Sequence, residues 1–449
     1  MDSKSIQIEI PKNVKTLLER LNKNGYEAYI VGGCVRDSLL SKKPYDFDIT
    51  TNAMPNEMLE IFSDFKIIPT GIKHGTLTIM IEDQSFEVTT YRMDGEYLDN
   101  RHPKEVTFSR SLAQDLERRD FTINALAYNK QDGLVDLFDG ISDLKGKNIK
   151  CVGDPDKRFT EDALRIMRAI RFASTLGFKI DYKTKESILK NCHLLKNVSM
   201  ERIRDELLKL LCGDNVTAVL IEYREVIATI IPELRVTFDF DQHNKHHIYN
   251  VYDHMAFAVG YSKPDPDVRL ALLLHDIGKP ACYKTDENGA GHFYGHGKAG
   301  EKISRPILKR LRLPTQTVEL ISDLILYHDY PIEPKRRVVL RRLNKFGEDK
   351  LRKLMMVKEG DSLAHNPKYL RRAEETEEIN EIIDDVISCN ECYSLKTLKI
   401  SGTDLKSLGI PAGKRIGIIL NTLLSEVIEG NIENSHEVLI ARAKEWSAN

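Results

Sequence analysis

Apolar positions in the first third of the chain follow two different periods. Val14, Leu17, Leu18 and Leu21 recur at the three- and four-residue spacing of one helix face, which predicts a helix over 12–24. EAYIVGG (27–33) is a continuous apolar run ending in glycines and reads as a buried strand. VRDSLL (35–40) follows as a short helix, and YDFDIT (45–50) as a further strand. PNEMLEIFSDF (55–65) carries proline at the first helical position, where the missing N–H is not needed. HGTLTIMIED (74–83) and SFEVTTYR (85–92) are β-branched runs around a turn, the pattern of a hairpin. From Arg158 onward the spacing is almost entirely helical, broken by loops. Strands mixed with helices, followed by helices alone, predict an α/β segment and a mostly α-helical remainder. No internal repeat and no low-complexity segment interrupts the pattern, and the breaks fall near 150, 215–240 and 360–380.

A chain of 449 residues exceeds one simple core, so several domains are expected. The net charge of −2 excludes a protein that holds nucleic acid by overall charge, and any such site must be local. KRRVVLRRLNK (335–345) is one basic cluster, better explained by charge alone as a solvated helix face. No apolar run has the length of a membrane span. The start, MDSKSIQIEIPKNVK, lacks the apolar stretch of a signal peptide, so a cytoplasmic location without membrane attachment is expected. Seven cysteines without framework spacing read as reduced thiols. Cys389 and Cys392 form a lone C-x-x-C, which lacks the second ligand pair of a zinc site.

Candidate chemistry begins at KPYDFDIT (43–50). On a strand, Asp46 and Asp48 project to the same face and Phe47 turns to the core. Like charges so close repel unless a cation lies between them. Mg2+ suits the place, since it takes oxygen ligands and is commonly held by one or two carboxylates plus substrate phosphates. Just upstream, Gly32 and Gly33 separate a strand from a short helix, where backbone N–H groups can approach a phosphate closely. Arg36 adds a fork of donors.

IVGGCVRDSLL…YDFDIT resembles the nucleotidyltransferase head of bacterial CCA-adding enzymes and poly(A) polymerases, the class II tRNA nucleotidyltransferases. LERRDFTINALAYN (116–129), the segment 132–178, SMERIRDELLKLL (199–211) and the C-terminal stretch 400–427 resemble further motifs of that family. The resemblance implies an α/β nucleotidyltransferase head, a mixed sheet with helices, over 1–150. It implies a helical neck with a nucleotide-selecting helix over 151–230, an HD-type helical domain over 231–370, and a helical, tRNA-binding tail over 371–449. The implied reaction is template-independent addition of CCA to the 3′ end of tRNA from CTP and ATP, with Asp46 and Asp48 holding Mg2+. Gly33, Arg36, Arg119, Arg168 and Arg171 would bind nucleotide. TTYRMDGEYLDNRHPKEVTF (89–108) resembles the loop that accompanies the switch from C to A, around Asp94, Gly95, Tyr97 and Arg101. The alternatives are a poly(A) polymerase or A-adding enzyme, and an RNA-binding phosphohydrolase with an inactive transferase head.

TEDALRIMRAIRFA (160–173) has helical spacing, with Thr160 placed to cap it and Asp162 and Arg165 on one face. An ionised aspartate only accepts hydrogen bonds and an arginine only donates them. Cytosine and adenine both present an amino donor beside a ring-nitrogen acceptor, so the pair complements either base. Guanine and uracil would set a carbonyl against the carboxylate, a mismatch that discriminates strongly. The resemblance assigns Asp162 and Arg165 this selecting role.

The middle of the chain carries HNKHHIYNVYDHM (243–255), LALLLHDIGKP (270–280), HFYGHGKAGEKIS (292–304), LILYHDYP (324–331) and GDSLAHN (360–366). This order is similar to the HD phosphohydrolases. The resemblance implies His254, His275, Asp276 and Asp361 as ligands of a divalent transition metal, joined by His296 and His328 for a second ion.

Overall fold

The computed structural model describes residues 6–69, 71–94, 106–369 and 371–447. The chain forms two compact units, Met1–Pro232 and Glu233–Asn449.

In the first unit, α1 (Lys12–Lys23) lays Val14, Leu17, Leu18 and Leu21 on the sheet core beside Ile30, Ile49, Leu77 and Val88. The sheet strands are β1 (Ala28–Val31), β2 (Asp48–Thr51), β3 (Lys66–Ile68), β4 (Thr76–Ile81), β5 (Gln84–Thr90), β8 (Leu126–Asn129) and β9 (Gly133–Asp136). Their order is β3-β4-β5-β2-β1-β8-β9, and only β2 and β5 run parallel. The predicted mixed head sheet is thus present. A separate two-stranded pair joins β6 (Arg92–Asp94) to β7 (Val106–Phe108). The expected loop lies between them; the Asp94 side chain, Gly95, Tyr97 and Arg101 are outside the described residues.

Helices α2 (Gly33–Leu39), α3 (Pro55–Ile61), α4 (Leu112–Glu117) and α5 (Gly140–Lys145) belong to this sheet region. After them come α6 (Pro155–Glu161), α7 (Leu164–Leu176), α8 (Tyr182–Asn191), α9 (Met200–Leu211), α10 (Val216–Glu222) and α11 (Arg224–Ile230). α7 packs on α9 through an apolar face that includes Ile166, Ile170, Ile203, Leu207 and Leu210.

Two expectations are corrected here. β2 begins at Asp48, so Asp46 precedes the strand, and Phe47 is only partly buried against the core. Asp46 therefore stands two residues before the strand, and the pleat of β2 does not set the two carboxylates side by side. The helix predicted over 160–173 is two helices. α6 ends at Glu161, and Asp162 takes an extended conformation (φ −135°, ψ 102°) before α7 starts at Leu164. The Asp162 carboxylate accepts the Leu164 N–H at 3.1 Å, a local bond that competes with helix continuation. Thr160 is consequently no N-cap; its hydroxyl donates back to the carbonyls of Asp156 and Lys157.

The second unit is helical. α12 (Val251–Tyr261), α13 (Pro266–Leu274), α14 (Lys279–Cys282), α15 (His296–Arg310), α16 (Thr315–Tyr327), α17 (Arg336–Phe346) and α18 (Glu348–Leu363) surround buried leucines of α13. α19 (Arg371–Ser388) packs on α18, and α20 (Gly402–Ser407), α21 (Lys414–Ile428) and α22 (His436–Ser447) form the tail. The basic cluster on α17 is largely spent within this unit. Arg336 pairs with Asp385 and Glu391, Arg341 with Glu429, and Lys345 lies over the Tyr327 ring.

Candidate active site

The β1–β2 register sets the first site. Val31 pairs with Asp48, so the chain leaving β1 turns directly beside the start of the aspartate strand. Gly32 makes that turn at φ 78°, and a Cβ there would stand 3.1 Å from the Arg119 guanidinium. Both the backbone and the close approach therefore require glycine.

A cavity of about 610 Å³ opens at this turn. Gly33, Arg36, Asp46, Asp48, Arg119, Asp162, Arg165, Arg168 and Arg171 all line it, so these residues of the expected head and neck are brought to one place. Eight arginines face four aspartates in its wall, an electropositive lining suited to a polyphosphate.

The arginines are held by acids, of which Asp115 and Glu206 were passed over in the sequence. Asp115, fully buried, accepts from Arg118 at 2.7 Å and Arg119 at 3.1 Å. Its spacing to them, three and four residues on α4, was the available signal. Burial raises the Asp115 pKa, but Arg119 and Arg118 outweigh it and leave it lowered. Asp120 accepts from Arg168 at 2.7 Å and from Asn124 at 3.1 Å, while Glu206 of α9 takes Arg171 at 2.5 Å. Arg36 is more tightly engaged than a free fork: it bonds Asp37 at 2.8 Å and Asn124 at 2.7 Å. The Phe172 ring carries the Arg171 guanidinium at 3.8 Å, with Arg36 and Arg168 at 4.9 and 5.5 Å.

Asp162 pairs with Arg202 at 3.0 Å. Arg165 is fixed by Glu161 at 2.8 Å and donates to the Arg118 carbonyl at 2.8 Å. The second guanidinium nitrogen of Arg202, Nη1, is buried without a hydrogen-bond partner beside the cavity.

Asp48 tests the fit of a cation. Its side chain is exposed at the cavity wall, yet the surrounding protein and the like charge of Asp46 raise its pKa, against the pull of Arg119. An acidic pair strained in this direction has the charge and the donor atoms that a hard divalent ion takes.

Asp120 gives a stability prediction. Burial raises its pKa, yet Arg168 and the Asn124 amide overcome this and bring it from 3.8 to about 2. A depressed acid stabilises the fold above its unfolded pKa, and that contribution fades as pH falls through the folded value. Asp120→Asn is expected to cost roughly 2 kcal/mol at pH 7. The gap from wild type should narrow as pH falls from about 4 toward 2. Urea midpoints across that range measure it.

The second unit holds the other predicted set, around a cavity of about 600 Å³. Asp276 is the centre. Its Oδ2 lies 3.2 Å from His275 Nε2 and 3.5 Å from His254 Nε2; its Oδ1 lies 3.4 Å from His296 and 3.7 Å from His328. Asp361 lies 2.9 Å from His254 and 3.3 Å from His275. All six predicted residues therefore come together, in two groups that share one carboxylate. His275 Nδ1 is tied to the Leu272 carbonyl and His328 Nδ1 to the Ile325 carbonyl, which turns both Nε2 atoms inward. Asp276 Oδ1 is buried without a hydrogen-bond partner, while its Oδ2 is met by the Lys279 ammonium. Burial pulls the His275 pKa down, but Asp276 and Asp361 carry it up to about 10. The centre thus attracts positive charge, and its imidazole and carboxylate donors fit a divalent transition metal.

Sequence reasoning missed three neighbours. Lys279 reaches Asp276 at 2.6 Å and Gln242 at 2.7 Å. His247 and His365 complete a further histidine group with His254. Burial first, then Lys279, lowers the His247 pKa to about 2.

Comparison with known proteins agrees with this geometry. Residues 28–150 match the family model of the poly A polymerase head domain. Residues 177–236 match that of a probable RNA and SrmB-binding site of polymerase A, and 297–443 that of tRNA nucleotidyltransferase domain 2. These matches belong to nucleotidyltransferases, the class that the head and the segments after it define. CCA-adding enzymes of Ligilactobacillus salivarius and Enterococcus faecalis are 33% and 34% identical to the chain. Each alignment covers 96% of this chain, and 96% and 95% of those proteins. The crystal structure of the Bacillus stearothermophilus CCA-adding enzyme in complex with CTP superposes with a TM-score of 0.72 at 28% identity, covering 96% of both chains. The chain belongs to the CCA-adding enzyme family. Among the described residues no helix is long and apolar enough to cross a membrane.

Proposed function

We propose that this protein is a tRNA nucleotidyltransferase that adds C, C and A to the 3′ end of tRNA from CTP and ATP, without a nucleic-acid template. The observation that carries the reading is the convergence of Asp46, Asp48, Asp162, Arg165 and the arginine set on one cavity. Residues 1–150 serve as the head, 151–230 as the neck, 231–370 as the HD-type domain and 371–449 as a tRNA-binding tail.

The tRNA 3′-hydroxyl attacks the α-phosphate, the new P–O bond forms, and pyrophosphate leaves. Asp46 and Asp48 would hold Mg2+, which when bound supplies charge stabilisation for that displacement. Arg36, Arg119, Arg168 and Arg171 neutralise the triphosphate and orient it. Asp162 accepts the exocyclic amino N–H of cytosine or adenine, and Arg165 donates to the adjacent ring nitrogen. These contacts set the base before chemistry.

The test is incubation with Mg2+, tRNA lacking its CCA end, and each labelled triphosphate alone and together. Two C residues followed by one A, with GTP and UTP refused, is the expected product. Addition of C alone or A alone would move the protein to a partial-tail activity and direct attention to 91–101.

The histidine–aspartate centre supports a second activity, hydrolysis of phosphate ends. His254, His275, Asp276 and Asp361 would hold one divalent ion, and Asp276, His296 and His328 another. Such ions supply a nucleophilic water when bound. His275→Ala is expected to abolish metal-dependent phosphodiesterase activity and to leave nucleotide addition unchanged. A parallel loss of both activities would contradict two independent sites.

A further inference from the structure

The cavity of about 600 Å³ at the histidine–aspartate centre has aromatic residues in its wall that the metal-centre reading does not use. Asp276 and His328 lie buried at its inner end, whereas Tyr294 in the same wall is 80% exposed. Tyr294 follows two short paired strands, Lys284–Thr285 and Gly291–His292. Its ring lies parallel to that of His292, with 3° between the planes and 5.5 Å between the centroids, the offset geometry of stacked aromatics.

One exposed tyrosine needs no explanation by itself. The second observation is that its partner is fixed. The Asp286 carboxylate accepts from His292 Nε2 at 3.0 Å and from the backbone N–H groups of Asn288 and Ala290 at 2.9 Å each. Between the two rings in sequence, Phe293 packs on Tyr283 at 5.6 Å, and Tyr283 on Phe240 at 5.4 Å. A ring that stacks on a fixed neighbour has less freedom left to lose when a ligand adds to the stack. Lys368 adds positive charge to the same wall, in keeping with an anionic ligand.

We propose that the centre acts on phosphate carried by a nucleoside, and that Tyr294, stacked on His292, is the platform for the base. The inference rests on the metal-centre reading above. Two residue steps separate Tyr294 from His296 of the centre, a chain span of at most about 7 Å, so the base and phosphate of one nucleotide reach both. Stacking uses a face that every base has and is sequence-tolerant for that reason. The Asn244 amide in this wall is already engaged, donating to the Gly291 carbonyl at 3.1 Å and accepting the His246 N–H at 3.0 Å. The platform thus selects nucleosides from other phosphate esters without preferring one base. In the hydrolysis, water forms a new P–O bond, the bond from phosphorus to the ribose oxygen breaks, and that oxygen takes the proton water gives up.

The experiment uses the full chain loaded with Co2+ and follows phosphate release from guanosine 5′-phosphate and from ribose 5-phosphate, the same ester without a base. Guanine is a base that the head is proposed to refuse. Wild type is expected to show a KM for the nucleotide about ten-fold below that for ribose phosphate. Tyr294→Ala should bring the ratio close to one through a rise in the nucleotide KM, and Tyr294→Trp should restore it. The other three nucleoside phosphates should share the preference within about three-fold. A trinucleotide with a 5′-phosphate separates the sources: a lower KM than the mononucleotide identifies an RNA end, an equal one the free nucleotide, and Tyr294→Ala should weaken either. Equal KM values for the two esters in wild type overturn the platform, as does a wild-type ratio in Tyr294→Ala. Release from neither ester removes the hydrolytic reading of the centre. Equilibrium dialysis of labelled guanosine 5′-phosphate then decides the platform, which stands if Tyr294→Ala binds about ten-fold more weakly and fails if it binds as wild type does.

Discussion

Asp48→Asn and Asp46→Asn should each reduce nucleotide addition by about a thousand-fold or more while tRNA binding is kept. The magnitude follows from what the pair does in the proposed reaction. Phosphoryl-type transfer depends almost wholly on positioning and charge stabilisation, so removing the carboxylates that hold the ion removes most of the rate. The structure adds a second, opposite effect. Asp48 is exposed at the cavity wall, yet its protein surroundings and Asp46 raise its pKa, so its ionised form is disfavoured in the fold. An acid raised in the folded state stabilises below its unfolded pKa and loses that contribution as pH rises through the folded value. At neutral pH, therefore, Asp48→Asn should melt no lower than wild type without Mg2+, and Mg2+ should raise the melting temperature of wild type only. Addition at wild-type rates, with or without that thermal difference, would remove Asp46 and Asp48 from the reaction.

Asp162→Ala should change which nucleotide is accepted as well as how fast. The carboxylate is the acceptor that the amino group of cytosine or adenine meets, and its loss opens the place to a carbonyl. Discrimination of CTP over UTP, as the ratio of kcat/KM, is expected to fall by about a hundred-fold or more. Arg202→Ala should move in the same direction by less, since Arg202 holds Asp162 at 3.0 Å and leaves the acceptor in place when removed. Single-nucleotide incorporation on one tRNA measures both. An equal fall for CTP and UTP would mean that Asp162 supports the fold of the junction and does not choose the base.

Much of this was legible in the sequence, for a physical reason in each case. The α1 stripe and the β4–β5 hairpin follow from periods of 3.6 and 2. The residues of the two sites are chemically uncommon combinations on short elements, and the fold brings each set together. The break at Asp162 was hidden because Thr160–Ala173 keeps helical spacing straight through it. The deciding contact is one side chain bonding the backbone two residues on, which periodicity does not register. Asp115 was missed for a different reason. A buried acid whose work is to hold Arg118 and Arg119 looks, in sequence, like any exposed charge on a helix. His247 reaches Lys279 from a segment distant in the chain, so spacing could not show it, whereas Lys279 stands three residues after Asp276 and was within reach of a spacing argument.

One feature of the head cavity bears on turnover. Arg36, Arg118, Arg119, Arg165, Arg168, Arg171 and Arg202 each grip a carboxylate of the fold itself. Immobilising such long side chains at an interface ordinarily costs about 0.5–1.5 kcal/mol apiece in lost rotamer entropy. Here the freezing happens during folding. In the proposed reaction three nucleotides arrive in succession at one RNA end, and each meets a surface whose disorder was removed once, when the protein folded, instead of once per nucleotide.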